Sequence, residues 1–124
     1  MKRILVVEDD PVSARMMRDF LAAQGYATSV AKNGLEGIEA FEREPPDLMI
    51  VDVALPKKNG FEVCFEVKRT ERGRDLPLLL MSAVYRDADH ALRYSQDELR
   101  AQGFLTKPFD LRDLLARVRE LLPD

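Results

Sequence analysis

The chain has 124 residues, 46% of them hydrophobic and 33% charged, a globular balance at the size of one domain that argues against disorder. Its 19 basic and 22 acidic residues leave a net charge of −3, without the basic excess of a nucleic-acid-binding domain. No apolar run approaches the ~18 residues of a membrane span, acid follows the first short apolar run too soon for a signal peptide, and the one cysteine, Cys64, cannot form an internal disulfide, which points to the cytoplasm.

Ile4-Leu5-Val6-Val7 is a β-branched run that ends in acid and predicts a first strand. Asp10-Pro11 then reads as an N-cap followed by proline at the first helical position. Val12, Met16 and Phe20, with Met17 and Leu21, recur at i+4 and predict one apolar helix face, which Gly25 terminates. Tyr26–Ala31 is a short second strand, Asn33-Gly34 a turn and cap, and Leu35, Ile38 and Phe41 a short helical stripe. Pro45-Pro46 breaks the chain before Leu48–Val51, a buried third strand ending at Asp52. The loop Val53–Asn59 leads into a helix carrying Phe61, Cys64, Phe65 and Lys68. Leu76–Met81 is a fourth strand ending at Ser82, and Asp87–Arg100 is a weakly amphipathic helix with Ala91, Leu92, Ser95 and Leu99 as its stripe. Phe104–Thr106 is a fifth strand ending at Lys107-Pro108, and Asp110 caps a last helix with Leu111, Leu114, Leu115, Val118 and Leu122 on one side. Five strands alternating with five helices define an α/β fold of (βα)5 type, a doubly wound five-stranded parallel sheet with helices on both faces. The continuously apolar strands agree with burial on both sides.

Ligands of such sheets sit at the carboxyl ends of the strands. Glu8, Asp9 and Asp10 follow the first strand, Asp52 the third, Ser82 the fourth and Lys107 the fifth. If those strands are neighbours, the groups converge. Crowded carboxylates repel unless a cation sits among them, and hard oxygen donors suit Mg²⁺. An aspartate beside Mg²⁺, with a lysine and a hydroxyl close by, makes a site for a phosphoryl group. Metal and ammonium neutralise its oxygens while the carboxylate attacks phosphorus.

These strand ends carry a resemblance. ILVVEDDP with Glu8-Asp9, MIVDVALPKKNGFEV with Asp52 and Pro56–Gly60, LLLMSA with Ser82, and FLTKPF with Phe104 and Lys107-Pro108 occur in order, each at a predicted strand end. The chain resembles, over essentially its whole length of 1–124, a response-regulator receiver domain of bacterial two-component signalling. The resemblance implies the flavodoxin-like strand order 2-1-3-4-5. It implies Asp52 as phosphoacceptor, and Mg²⁺ bound by Asp9 and Asp52 directly, by Glu8 through water and by the Ala54 backbone carbonyl. It implies Lys107 as the ammonium that pairs with Asp52 and then with phosphoryl oxygens, with a cis bond to Pro108. Ser82 and Phe104 stand at the switch positions, the second more often tyrosine in the family. The implied function is a phosphorylation-activated phosphoacceptor, not a turnover enzyme, that catalyses only its own phosphorylation and dephosphorylation and signals through the helix 4–strand 5–helix 5 face. Its implied partners are a histidine kinase or phosphotransfer protein, or a small phosphodonor, and a downstream target or effector domain. A homodimer fits the resemblance; direct contact with nucleic acid or membrane does not.

Other residues have plainer roles. Asp10 is expected to cap its helix, Cys64 to pack, and Arg93, Arg100, Arg112, Arg117 and Arg119 to form a solvated face; His90 is assigned nothing. Lys57 and Lys58 stand where smaller or apolar residues are commoner and are expected to raise the local positive potential. Ala54 and Val84, two residues beyond Asp52 and Ser82, are apolar, which implies slow self-dephosphorylation. The interval from Ser82 to Lys107 is longer than is usual in the family, with the extra length assigned to 85–100. No effector sequence is present, so the chain is expected to be a single-domain receiver or a piece of a larger regulator. Two competing classes fit less well. An aspartyl-phosphate phosphatase of the haloacid dehalogenase type needs a different pattern from Glu8-Asp9-Asp10-Pro11, and a phosphorylation-independent binding module would not need an intact Asp9, Asp52, Ser82 and Lys107 set. No glycine-rich loop follows the first strand as a nucleotide site would require.

Overall fold

The apolar runs of the sequence pair edge to edge as β1 (Arg3–Val7), β2 (Ala27–Ala31), β3 (Leu48–Asp52), β4 (Leu78–Ala83) and β5 (Gly103–Lys107). These strands form one all-parallel sheet in the order β2-β1-β3-β4-β5 in a computed structural model that describes residues 1–83 and 101–123. The order 2-1-3-4-5 therefore stands as expected. The predicted helix 87–100 lies outside the described residues, as do Val84, His90, Arg93, Arg100 and the longer 85–100 interval.

Helices α1 (Pro11–Ala23), α2 (Gly34–Arg43) and α3 (Gly60–Lys68) and the C-terminal helix (Leu111–Leu121) cover both faces. Alternation along each strand sorts the core into two layers. Leu5, Val7, Met49, Val51, Leu78 and Leu80 pack with Phe41 of α2 and Phe61 and Val67 of α3. Ile4, Val6, Ile50, Leu79, Met81 and Leu105 pack with Met17 and Leu21 of α1 and Leu114 and Val118 of the C-terminal helix. No described helix is long and apolar enough to cross a membrane.

Each of the described helices begins on a side-chain cap. Asp10 accepts from Ser13 N–H, Asn33 from Glu36 N–H, and Asn59 and Asp110 form reciprocal capping boxes with Glu62 and Asp113. Gly25, at φ 99°, lets the chain turn out of α1. At the opposite end of the sheet from the acids, the Lys68 ammonium donates to the Leu76 carbonyl and to Gln102 Oε1 (3.0 Å), while the same Gln102 oxygen accepts Leu78 N–H at 2.8 Å. Lys68 thus ties α3 to the starts of β4 and β5.

The sequence stripes need three corrections. On α1 the buried side is Ala14, Met17 and Leu21, whereas Val12 (66% exposed) and Met16 (54%) lie on a flank that the sheet does not reach. Two i+4 rows run side by side on a helix, and a single sheet layer covers one of them. Phe65 of α3 faces out, with the Arg69 guanidinium 5.2 Å from its ring centre, and Leu35 is likewise exposed. Strand ends also differ slightly: β2 begins at Ala27, β4 runs Leu78–Ala83 and β5 starts at Gly103. Replacing Asp110 with alanine removes one half of a capping box and is expected to cost about 1 kcal/mol, read as a lower urea midpoint with an unchanged slope.

Candidate active site

The carboxyl ends of β1, β3 and β5 carry Glu8, Asp52 and Lys107, and even-residue alternation in β1 and β3 turns both acids toward the α1 side of the sheet. Lys107 lies on a strand separated from β3 by β4, and its long stem reaches across. Its Nζ donates to Asp52 Oδ2 at 2.7 Å and to Glu8 Oε1 at 3.1 Å. The other Asp52 oxygen, Oδ1, accepts the Ala54 backbone N–H at 3.1 Å. Asp9 is exposed, and one oxygen each of Glu8, Asp9 and Asp52 lie within 4.8 Å of one another. The peptide bond between Lys107 and Pro108 is cis.

Electrostatics follow from this packing. Glu8 is only 2% exposed. Burial pushes its carboxyl from 4.5 up to about 7; Asp52 adds to the rise and the Lys107 ammonium opposes it. Burial works against the Lys107 charge too, but its bonds and attraction to Asp52 and then Glu8 win and hold it above the usual lysine range. One ammonium therefore pairs with two carboxyl groups that have a third beside them, and the cluster carries more potential negative charge than it neutralises. Its donors are all oxygen, two of the groups are buried, and one opens to solvent. That set fits a hard divalent cation such as Mg²⁺.

The other residues singled out in the sequence have their own surroundings. Ser82 is half-buried near the end of β4, one position before Ala83, which pairs with Lys107 in the ladder. Phe104, beside Leu80 in the ladder, packs partly buried against the layer that Leu78 and Leu80 share with α3. Asp10 is committed to its helix: Oδ2 accepts from Ser13 N–H at 3.2 Å and from Ser13 Oγ at 2.6 Å, and these bonds hold its carboxyl below the usual range. Lys58 does not add a free charge to the loop as expected, because its ammonium pairs with Glu66 of α3 at 2.8 Å. Cys64 is buried and its thiol is pushed up to about 12 by that burial, so it is a packing group and not a nucleophile. One feature had no sequence signal beyond an apolar residue after a proline. Phe109 joins Met16, Met17 and Leu111 in a mostly apolar groove of about 800 Å³, with Glu8 and Lys107 at its edge.

The parallel 2-1-3-4-5 sheet thus gathers an acidic, oxygen-rich site with one lysine at its carboxyl edge. The response regulator receiver domain family model matches residues 4–119, and the chain belongs to that family. It is similar to the DNA-binding dual master transcriptional regulator RpaA of Synechocystis sp., at 38% identity over 122 residues that cover 98% of this chain and 49% of RpaA. The chain thus spans about half the length of that relative. Among solved structures it is similar to the receiver domain of a signal transduction histidine kinase from Syntrophus aciditrophicus, with a TM-score of 0.88, 32% identity, and 98% and 90% of the two chains covered. It is also similar to the response regulator TrrA of Thermotoga maritima, solved with Mg²⁺ and BeF, with a TM-score of 0.83, 30% identity, and 98% and 100% covered.

Because the Glu8 carboxyl ionises near 7 in the folded chain against 4.5 ordinarily, its contribution to stability is complete below about 4.5 and is lost as pH rises through about 7. In metal-free protein, the stability of the wild type relative to Glu8→Gln is expected to fall between pH 5 and pH 8, measured by urea unfolding at both. A difference that stays constant contradicts the assignment.

Proposed function

We propose that the chain is a phosphorylation-driven switch in which Asp52 takes a phosphoryl group from a phosphohistidine of a histidine kinase or phosphotransfer protein, or from a small phosphodonor. The observation that carries this reading is the Lys107 ammonium bonded to both Asp52 and Glu8, with Asp9 completing an oxygen cluster beside them. An Asp52 oxygen attacks phosphorus; the new O–P bond forms as the P–N bond of phosphohistidine, or the P–O bond of an acyl phosphate, breaks and the leaving group takes the electron pair. The Ala54 N–H on Oδ1 and Lys107 on Oδ2 orient the carboxylate, and Lys107 follows the charge onto the incoming oxygens. Mg²⁺ held by Asp9 and Asp52, by Glu8 through water and by the Ala54 carbonyl supplies, when bound, the remaining positive charge. The groove beside α1 is lined in part by Glu8 and Lys107, which suits an apolar surface of the phosphodonor protein.

The added charge then draws the Ser82 hydroxyl toward the phosphoryl group, and Phe104 moves into the space released. This shifts a two-state population whose output face includes β5 and the C-terminal helix. A downstream protein or an effector domain reads that face, and pairing of two copies is one form of the output. The single cysteine suits the reducing cytoplasm, the compartment we assign, and the reading treats 1–124 as one receiver domain with no activity beyond its own phosphorylation and dephosphorylation.

Intact mass after incubation with acetyl phosphate and Mg²⁺ tests the reading. One phosphoryl adduct on the wild type and none on Asp52→Ala is expected; an adduct on both, or on neither, overturns it. The Ala54 methyl offers no hydrogen bond to an attacking water, so the adduct is expected to outlast minutes in the purified Mg²⁺-loaded protein. Decay within seconds contradicts that part.

A further inference from the structure

The loop after Asp52 has little slack. Val53 N–H bonds to Met81 O at 2.9 Å, Gly60 N–H returns to Val53 O at 2.9 Å, and Leu55 and Lys58 N–H close small turns onto Val53 O (3.0 Å) and Pro56 O (2.8 Å). Lys57 already sits in the left-handed region at φ 70°, which non-glycine residues seldom adopt. The loop's far side rests on another helix. A Cβ built on Gly34, the first residue of α2, would lie 2.0 Å from the Lys58 carbonyl oxygen and 2.7 Å from its carbon. The obstacle is backbone, so no side-chain rotation relieves it. Nor can α2 back away: Asn33 caps it from a buried position, Phe41 is in the core, and Gly37 lies so close to Val7 that a Cβ there would meet a methyl at 2.9 Å.

We propose that Gly34, remote in sequence from every strand-end acid, is a positioning residue for the β3–α3 loop: its missing side chain lets the Lys58 backbone seat on α2 and so holds Ala54 in place beside Asp52. Gly60 does the corresponding work from within the loop, its Cα against the Asp52 carbonyl oxygen, which a Cβ would meet at 2.4 Å. The inference rests on the proposed Mg²⁺-dependent phosphorylation, since the Ala54 carbonyl is one of the metal's assigned ligands there. The contact couples α2 to the loop through close packing against the Lys58 backbone.

The test is Gly34→Ala in the full chain, with Mg²⁺ titrated against the backbone amide spectrum and acetyl-phosphate adduct formation followed by intact mass. A Mg²⁺ midpoint raised about 10- to 100-fold is expected, as for loss of other supports of a metal ligand, together with shifted amides at Ala54, Leu55, Lys57 and Lys58. Adduct formation is expected to slow at low Mg²⁺ and to return to within about twofold of wild type at saturation, a loss in metal binding and not in the transfer step. Ala40→Gly, which loosens the same helix without adding an atom near Lys58, is expected to leave the midpoint unchanged. A Gly34→Ala midpoint equal to that of the wild type overturns the inference, as does an equal shift in Ala40→Gly. If Gly34→Ala does not fold, the wild-type spectrum decides: the Gly34 amide is expected to move with the same Mg²⁺ midpoint as Ala54, and a silent Gly34 amide overturns the inference. A wild type that neither binds Mg²⁺ nor forms an adduct sinks the underlying function as well, which separates that failure from this one.

Discussion

One ammonium holds the carboxyl end of the sheet together. Lys107 spans from β5 over β4 to Asp52 on β3 and Glu8 at the end of β1, and it does so where both acids are almost fully buried. Buried carboxylates at hydrogen-bonding distance of one cation are costly to leave unpaired. The cluster therefore constrains the strand ends to one geometry while still holding three acids against one ammonium. In the proposed function that surplus has a purpose. A site short of positive charge takes up a divalent cation, and a site with a mobile ammonium can pass it from a carboxylate to a phosphoryl group.

The scaffold around this cluster is rigid for identifiable reasons. β1, β3 and β4 are apolar on both faces and lie inside the sheet, each paired on both sides. Capped helix starts at Asp10, Asn33, Asn59 and Asp110 use side-chain acceptors to satisfy amides that would otherwise lack partners, close to the acids themselves. The β3–α3 loop is pinned by its own turns and by Gly34 and Gly60. By contrast Ser82 and Phe104 are only partly buried, which suits groups asked to move in the proposed function.

Much of this was legible in one dimension. Alternating apolar runs and capped amphipathic segments specify a parallel α/β sheet, because doubly buried strands must be apolar throughout while helices show one apolar stripe. The acid or lysine that ends each strand was also visible, since it interrupts an apolar run. What failed was finer. Val12 and Met16 looked like core because two i+4 rows are equivalent on paper, and Lys58 looked like a free charge because Glu66 is eight positions away on a helix.

By itself the sequence determined which residues could be buried, where helices begin, and which charged groups stand at strand ends, since these depend on local chemistry and periodicity. Only the tertiary structure decided that Lys107 reaches Asp52 and Glu8 together and that Gly34 rests on Lys58. The reason is physical: each of those facts is a distance between segments far apart in the chain, and distances of that kind are set by sheet order and packing, which no local pattern encodes.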